Sequence, residues 1–336
     1  MSVKLAINGF GRIGRHALRA VAVSERNDVK IVAVNDLASI DTLAHLLRYD
    51  SMHGRYPGSV EVDESASAIL VDGALVRVLS EPRPERIPWG ELGVDVALES
   101  TGRFRSREDA ALHLEAGARK VVISAPGNGV DATFVLGVNH DTYSRRDHHV
   151  VSNASCTTNC LAPVVKVIAD RFGFKRGLVT TVHSYTNGQN IIDAPHKDLR
   201  RARAAAVSMI PTTTGAARAT GVVLPEVQGR IDGLSVRVPT ADVSLIDLVA
   251  EVESDASAES VNDAMRQASA GPLAGILEVS DEPLVSVDFV GNPHSAVVDA
   301  MSTAVIERRM VKVLAWYDNE WGYANRLVDL AAVVGA

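Results

Sequence analysis

An α/β fold in two domains is what this sequence predicts, and three observations predict it. Strand-like and helix-like segments alternate through the first half. A glycine-rich turn joins the first strand to the first helix. After Val150 the alternation stops, and long apolar strands follow one long helix. Alternation of the first kind builds a parallel sheet with helical crossovers. The second half reads as an α+β domain with a large mixed or antiparallel sheet. With 336 residues the chain is long enough for two domains. The expected division is 1–154, completed by a terminal helix at 320–336, and 155–319.

Taken in order, apolar runs at Val3–Ile7, Val29–Val34, Val94–Leu98 and Lys120–Ile123 predict strands. Helical spacing at Ile13–Val23, Ile40–Leu47 and Arg107–Ala116 places helices between several of them. From about Ser59 to Val78, short apolar runs flank Asp72-Gly73, a hairpin signal, and read as an antiparallel insertion. Cys156–Phe172 predicts a helix with Val164, Val167 and Ile168 inward. Strands follow at Gly177–His183, Leu234–Pro239 and Val243–Val252. Between Ser184 and Arg203 lies a polar, proline-containing stretch with little periodicity, the kind of long loop that usually carries function. Glu320–Val334 predicts a last helix, and no internal repeat interrupts the plan.

Composition narrows the function. The net charge is -7, without a basic arm or a Lys/Arg run, so nucleic acid and anionic membranes are not expected as primary partners. No apolar run approaches the roughly 18 residues of a membrane helix, and the first residues lack the apolar core of a signal peptide. The two cysteines, Cys156 and Cys160, sit one helical turn apart. They form neither a disulfide framework nor a metal site, so a reducing, cytoplasmic setting is expected and a metal is not.

Asn8-Gly9-Phe10-Gly11-Arg12-Ile13-Gly14 contains G-x-G-x-x-G, after an apolar strand and at the start of a periodic helix. That context marks a Rossmann-type dinucleotide turn. Gly9 would make the tight turn, Gly11 would let a pyrophosphate approach the backbone, and Gly14 would let helix and strand pack closely. The helix N-terminus offers free N–H groups and positive potential to the anion. Asp36 ends the second strand, roughly 20 residues beyond the glycines, where a carboxylate binds ribose hydroxyls and repels an extra 2′-phosphate. Asp36 would also serve as a turn residue. Ser100-Thr101-Gly102 follows another strand and would close over the adenine side.

A second group of residues carries reactivity. Cys156 opens a helix, where unpaired N–H groups and the dipole should lower a thiol pKa. Cys160, one turn further in, reads as core. A reactive thiol needs a base, usually distant in sequence. Of the ten histidines, His183 stands where a strand meets the long polar loop. Thr212-Thr213-Thr214-Gly215 meets a helix start, Arg237 lies inside an apolar strand, and Arg201 adds charge in the loop. Each has a bland reading as a cap or a solvated arginine. Beside a thiolate they point to a phosphorylated substrate.

Three stretches carry a resemblance that spans essentially the whole chain. Ser152-Asn153-Ala154-Ser155-Cys156-Thr157-Thr158-Asn159-Cys160-Leu161-Ala162-Pro163 is similar to the signature of the glyceraldehyde-3-phosphate dehydrogenases. So are His196 through Arg203 continuing to Ile210–Ala217, and the ending Trp316-Tyr317-Asp318-Asn319-Glu320-Trp321-Gly322-Tyr323. The resemblance implies an NAD-dependent phosphorylating dehydrogenase acting on glyceraldehyde 3-phosphate and inorganic phosphate. Cys156 would attack the aldehyde, with His183 as its base. Thr186 and Arg237 would hold the substrate phosphate. Ser155, Thr157, Thr214 and Gly215 would surround the attacking phosphate, and Arg201 would serve the anion pockets. Gly9, Gly11, Arg12, Ile13, Gly14, Asp36, Ser124 and Asn319 would bind NAD, Asn319 through the nicotinamide carboxamide. The Ser184–Arg203 loop would lie at the core of a homotetramer, near a neighbour's cofactor.

The sequence departs from the family in places. Ala194 stands where strict NAD users carry a bulkier residue, although Asp36, Leu37 and Pro195 point to NAD. Asn187-Gly188-Gln189-Asn190 differs from the commoner pattern, which implies one lost loop contact. Leu284–Phe289 and Asn292–Ser295 also resemble the non-phosphorylating erythrose-4-phosphate dehydrogenases, but the Thr212–Gly215 run favours the phosphorylating enzyme. A binding or scaffold protein on an inactive dehydrogenase fold is the alternative of another class. Retention of Cys156, His183 and both anion sets argues against it.

Overall fold

The computed structural model describes residues 2–24 and 26–336. Met1 and Glu25, inside the expected first domain, lie outside the described residues. The chain divides into two compact units, one of Met1–Phe134, His140–Ala154 and Ala324–Ala336, the other of Val135–Asn139 and Ser155–Tyr323.

The first unit is built on β1 (Val3–Asn8), α1 (Arg12–Val23), β2 (Val29–Asn35) and α2 (Ile40–Arg48), followed by a small ribbon of β3 (Tyr49–Asp50) and β4 (Gly54–Arg55). Then come β5 (Val60–Asp63), β6 (Ala68–Val71), β7 (Ala74–Leu79), α3 (Trp89–Leu92), β8 (Val96–Glu99), α4 (Arg107–Glu115), β9 (Lys120–Ile123), β10 (Ala132–Thr133) and β11 (Val150–Ser152). Nine strands form one sheet in the order β10-β11-β9-β8-β1-β2-β7-β6-β5. From β10 to β7 every pairing is parallel. The strand order reverses direction between β1 and β8, the switch point at which such sheets bind dinucleotides. β8 and β9 are buried along their whole length. Strands covered on both faces read as continuous apolar runs, which is why they were legible in sequence.

The Asp72-Gly73 hairpin is present, with φ of 49° and 77° at its two corners, the left-handed pair a type I′ turn requires. It is only partly an insertion. β7 pairs antiparallel with β6 and parallel with β2, so it doubles as the third strand of the parallel set.

The second unit opens with α5 (Cys156–Phe172) and β12 (Phe174–Ser184), then β13 (Ile210–Thr213), α6 (Ala216–Val223), β14 (Ile231–Val238), β15 (Ser244–Val252), α7 (Ala258–Ser269), β16 (Leu277–Ser280), β17 (Ala296–Ile306) and β18 (Met310–Tyr317). α8 (Trp321–Gly335) ends the chain, and its residues from Ala324 on belong to the first unit. Seven strands pair in the order β13-β14-β12-β15-β18-β17-β16. The sheet is mixed: β12 and β14 run parallel, as do β16 and β17, and the rest are antiparallel. Leu161, Val164, Val165 and Ile168 of α5 pack on Val179, Ile246, Leu248, Val311, Val313 and Ala315 of the sheet. This packing fixes the start of α5 against the strand ends. Between Val252 and Glu320 the sequence reading names no element; α7, β16, β17 and β18 fill that interval.

Candidate active site

In the first unit the glycine turn has the geometry its spacing implies. Gly9 sits at φ 92°, and a Cβ there would come within 2.6 Å of the Thr101 backbone nitrogen. A Cβ on Gly14 would come within 2.3 Å of the Gly9 carbonyl oxygen, so helix and turn touch. A Cβ on Gly11 would meet nothing within 4 Å. That open space lies over the start of α1, whose N-cap is Gly11 and whose first turn has neither a side-chain cap nor an acid. A diphosphate fits such a cradle. Arg12 pairs with Asp50 at 2.6 Å, and Ile13 is half-buried.

Asp36 does two things at once. Its Oδ2 accepts the Phe10 N–H at 2.8 Å and its Oδ1 accepts the Ala38 N–H at 3.1 Å. The carboxylate therefore braces the glycine turn as well as closing its own. Behind the turn is a network that sequence reasoning missed. Glu99 accepts from Asn8 at 2.7 Å, from the Thr101 N–H at 2.8 Å and from the Thr101 hydroxyl. Trp89 Nε1 donates to His113 Nδ1 at 2.9 Å. His113 Nε2 therefore carries the proton and donates to Glu99 at 3.0 Å. Asn8, Glu99 and His113 are all buried. Ser124 follows β9 and its N–H bonds to the Glu99 carbonyl at 2.9 Å.

In the second unit Ser155 caps α5, accepting the Thr158 N–H at 3.1 Å, a contact worth about 1 kcal/mol. Cys156 is the first helical residue, and its Sγ lies 3.5 Å from His183 Nε2. His183 comes from the end of β12, whose parallel register sets it directly opposite Arg237 of β14. Arg237 Nη1 lies 2.8 Å from His183 Nδ1 and donates to the Ser184 carbonyl at 2.9 Å. Nδ1 itself is 2.7 Å from that carbonyl. Nδ1 thus faces a guanidinium that only donates and a carbonyl that only accepts; in the tautomer with the proton on Nδ1, donated to the carbonyl, the Nε2 lone pair faces the sulfur. The Tyr317 hydroxyl bonds both Thr157 at 2.9 Å and Thr181 at 2.8 Å, and its ring meets the His183 ring edge-on. Cys160 is fully buried, within 3.8 Å of the Ala315 carbonyl.

Electrostatics correct one expectation. Placement at a helix start predicts a lowered thiol pKa. Burial instead pushes the Cys156 thiol up, opposed by the Arg237 charge and by hydrogen bonding from Thr157. Burial and the same Arg237 charge push His183 down to about 3. Each shift penalises a lone charge in an enclosed site. Moving one proton from sulfur to imidazole makes two opposite charges side by side, whose attraction offsets that penalty.

The anion-binding candidates are arranged less tightly. Arg201 donates to Thr212 at 3.0 Å and lies 3.6 Å from Asp198, and its charge reaches both His183 and Arg237. Arg237 Nε is buried without a partner among the described residues. Thr157 turns its hydroxyl inward to Tyr317. Thr214 accepts the Ala216 N–H at 3.2 Å, and Gly215 is the exposed N-cap of α6, with no side-chain cap. Thr186 is exposed and its hydroxyl accepts from the Gly188 N–H at 3.4 Å. Asn319 is buried, and its Oδ1 accepts from Ser184 at 2.9 Å and Ser244 at 2.7 Å. Neither serine stood out in the sequence, because a hydroxyl in a strand carries no local signal.

A helix start left open for a diphosphate belongs to the dinucleotide-binding folds, and a thiol facing an imidazole belongs to enzymes that carry an acyl group on cysteine. The class these features suit is a dinucleotide-linked dehydrogenase. Residues 3–107 match the family model described as glyceraldehyde 3-phosphate dehydrogenase, NAD binding domain, and residues 155–319 match the corresponding C-terminal domain. The chain is 57% identical over 336 residues to the glyceraldehyde-3-phosphate dehydrogenase of Geobacillus stearothermophilus, covering 100% of this chain and 99% of that one. It is 56% identical to glyceraldehyde-3-phosphate dehydrogenase 1 of Bacillus subtilis, covering 99% and 98%. With the glyceraldehyde-3-phosphate dehydrogenase of Streptomyces coelicolor the identity is 53%, covering 100% and 99%. The chain belongs to the glyceraldehyde-3-phosphate dehydrogenase family.

Proposed function

We propose that this chain oxidises glyceraldehyde 3-phosphate, with NAD and inorganic phosphate, to 1,3-bisphosphoglycerate in glycolysis. One observation carries the chemistry: Cys156 Sγ at the start of α5, 3.5 Å from His183 Nε2. The sulfur adds to the aldehyde carbon while its proton passes to Nε2. The resulting oxyanion takes that proton from the imidazolium, giving a hemithioacetal and a neutral imidazole. His183 then withdraws the hydroxyl proton as the C–H bond breaks, leaving a thioester on Cys156. When bound, NAD supplies the hydride acceptor. Inorganic phosphate attacks the thioester carbon, the C–S bond breaks, and the thiolate returns.

The remaining residues divide between two anions and a dinucleotide. Thr186 and Arg237 hold the substrate phosphate, and the unpartnered Arg237 Nε supports that role. Ser155, Thr157, Thr214 and Gly215 receive the attacking phosphate, supported by the N-terminus of α6, whose N-cap glycine has no side chain to cover it. Arg201 serves both anions. The inward turn of Thr157 makes it a backing group for Cys156 as well. Gly9, Gly11, Arg12, Ile13, Gly14, Asp36 and Ser124 take the dinucleotide, and Asn319 its carboxamide. Asp36 gives a preference for NAD over NADP.

The homotetramer is supported by the loop between β12 and β13, where Ile191 is 84% and Leu199 83% exposed. Apolar side chains this open mark an association surface. Two free thiols suit the reducing cytoplasm. No helix among the described residues is long and apolar enough to cross a membrane.

Product identity is the test. With phosphate, NADH should form steadily and an acyl phosphate should accumulate. Without phosphate, NADH should stop near one turnover. Steady NADH without phosphate, free acid as product and erythrose 4-phosphate as the better substrate would overturn the reading. No NADH from either aldehyde would leave the scaffold protein.

A further inference from the structure

Asn319 stands at the end of β18 with its side chain held by two hydroxyls. Ser184 is 0%, Ser244 2% and Asn319 6% exposed, so the three polar groups must satisfy one another. Ser244 Oγ accepts the Ser184 N–H at 3.1 Å. Its own hydrogen is then free to point at Asn319 Oδ1, 2.7 Å away. Ser184 Oγ lies 2.9 Å from the same oxygen. A separation of 2.7 Å is the usual length of an O–H···O bond and short for N–H···O. Both lone pairs of Oδ1 are therefore filled from the protein side. Nδ2 has no partner among the described residues, and it is not a fully buried atom. The amide can turn only its N–H groups outward.

The backbone beside Ser244 is held under strain. Val243 has φ 64°, a left-handed conformation that a β-branched residue rarely adopts. Val243 is buried against Phe289 and Val297, and its N–H bonds to Asp242 Oδ1 at 2.8 Å. Such strain persists only where the surroundings over-determine it. Here it delivers the Ser244 hydroxyl to a fixed point at the start of β15.

We propose that Ser184 and Ser244 are positioning residues that lock the Asn319 amide with Nδ2 outward, so that it recognises the carbonyl oxygen of the nicotinamide carboxamide and admits one face of the ring. This rests on the reading of Asn319 as the carboxamide contact. An amide free to turn over would offer an oxygen instead and pair with the carboxamide NH2. The carboxamide would then lie reversed, and with it the choice of ring face. Two hydroxyls acting through Asn319 thus set a specificity that neither makes by contact.

Binding of NAD and of ADP-ribose, measured by titration calorimetry, tests this. ADP-ribose lacks the nicotinamide and ignores the clamp. In Ser244→Ala and in Ser184→Ala, NAD should bind roughly tenfold more weakly, the scale of one or two lost hydrogen bonds. ADP-ribose affinity and melting temperature should hold. Ser244→Thr keeps the hydroxyl and should keep the NAD to ADP-ribose ratio. Oxidation of aldehyde deuterated at C1 should label one face of NADH in the unmodified enzyme and both faces in the alanine variants. Equal weakening of NAD and ADP-ribose, or an unchanged ratio with single-face labelling, would overturn the clamp. Asn319→Ala separates the two ideas. If it leaves the ratio unchanged, Asn319 does not touch the carboxamide and the underlying reading falls. If it shifts the ratio while both serine variants do not, only the clamp falls.

Discussion

At the scale of single residues, the tension lies between burial and charge. The Cys156 thiol is pushed up and the His183 imidazole down, so neither ionises readily alone. A thiol with a raised pKa is protonated, and unreactive, over more of the pH range below it. In the proposed reading, transfer of the thiol proton to His183 supplies thiolate near neutrality. His183→Asn should therefore slow alkylation of Cys156 by iodoacetamide at neutral pH and move its pH profile to higher pH. The oxidation step should slow about 10²–10⁴-fold, the usual range for acid–base help. NAD affinity should not change. An identical alkylation profile in the variant would remove His183 from thiol activation. Cys156 and His183 were legible because a cysteine opening a helix and a histidine ending a strand are local patterns. The rise in thiol pKa was not, since it depends on what encloses the sulfur.

At the scale of elements, strand register and helix starts place the groups. The parallel pairing of β12 with β14 sets His183 opposite Arg237, which are 54 positions apart in sequence. On the nucleotide side, Asp36 follows β2 directly, and its Oδ2 accepts the Phe10 N–H. Asp36→Ala should narrow the gap in kcat/KM between NAD and NADP, because the repulsion of the 2′-phosphate is lost. It should also weaken NAD binding, since a bond worth about 1 kcal/mol to the turn goes with it. Steady-state kinetics with both cofactors checks this, and an unchanged ratio would sink the assignment. Most of the parallel strands announced themselves as apolar runs. β7 did not show its double pairing, and β16, β17 and β18 were not read at all. β18 alternates buried and more exposed residues, but its outward positions are Met310, Lys312, Leu314 and Trp316, so polarity does not mark its two faces.

At the scale of the whole molecule, the exposed apolar loop between β12 and β13 is the feature a lone chain leaves unexplained. Ile191, Ile192, Leu199, Val207 and Met209 are all exposed there. Light scattering at micromolar concentration should give the mass of four chains. Ile192→Asp should shift that mass downward, because a desolvated carboxylate is costly in an apolar contact. A single-chain mass for the unmodified protein would refute the assembly.

The sequence alone determined the two sheets in outline, the glycine turn, the thiol at a helix start and the histidine at a strand end. Each is written within a short stretch, by periodicity, by glycine or by a cap. Local pattern also marked Arg237 and the Thr212–Gly215 run as anion-binding candidates, and family resemblance then attached them, with Thr186 and Asn319, to particular ligands. Tertiary structure alone decided how these residues meet. Register put Arg237 against His183, and burial pushes the Cys156 thiol up and the His183 imidazole down. Packing around Val243 delivered Ser244 to Asn319, which lies 75 positions further on. Such contacts are set by the sum of many strand pairings and packed side chains, so no single stretch of sequence contains them.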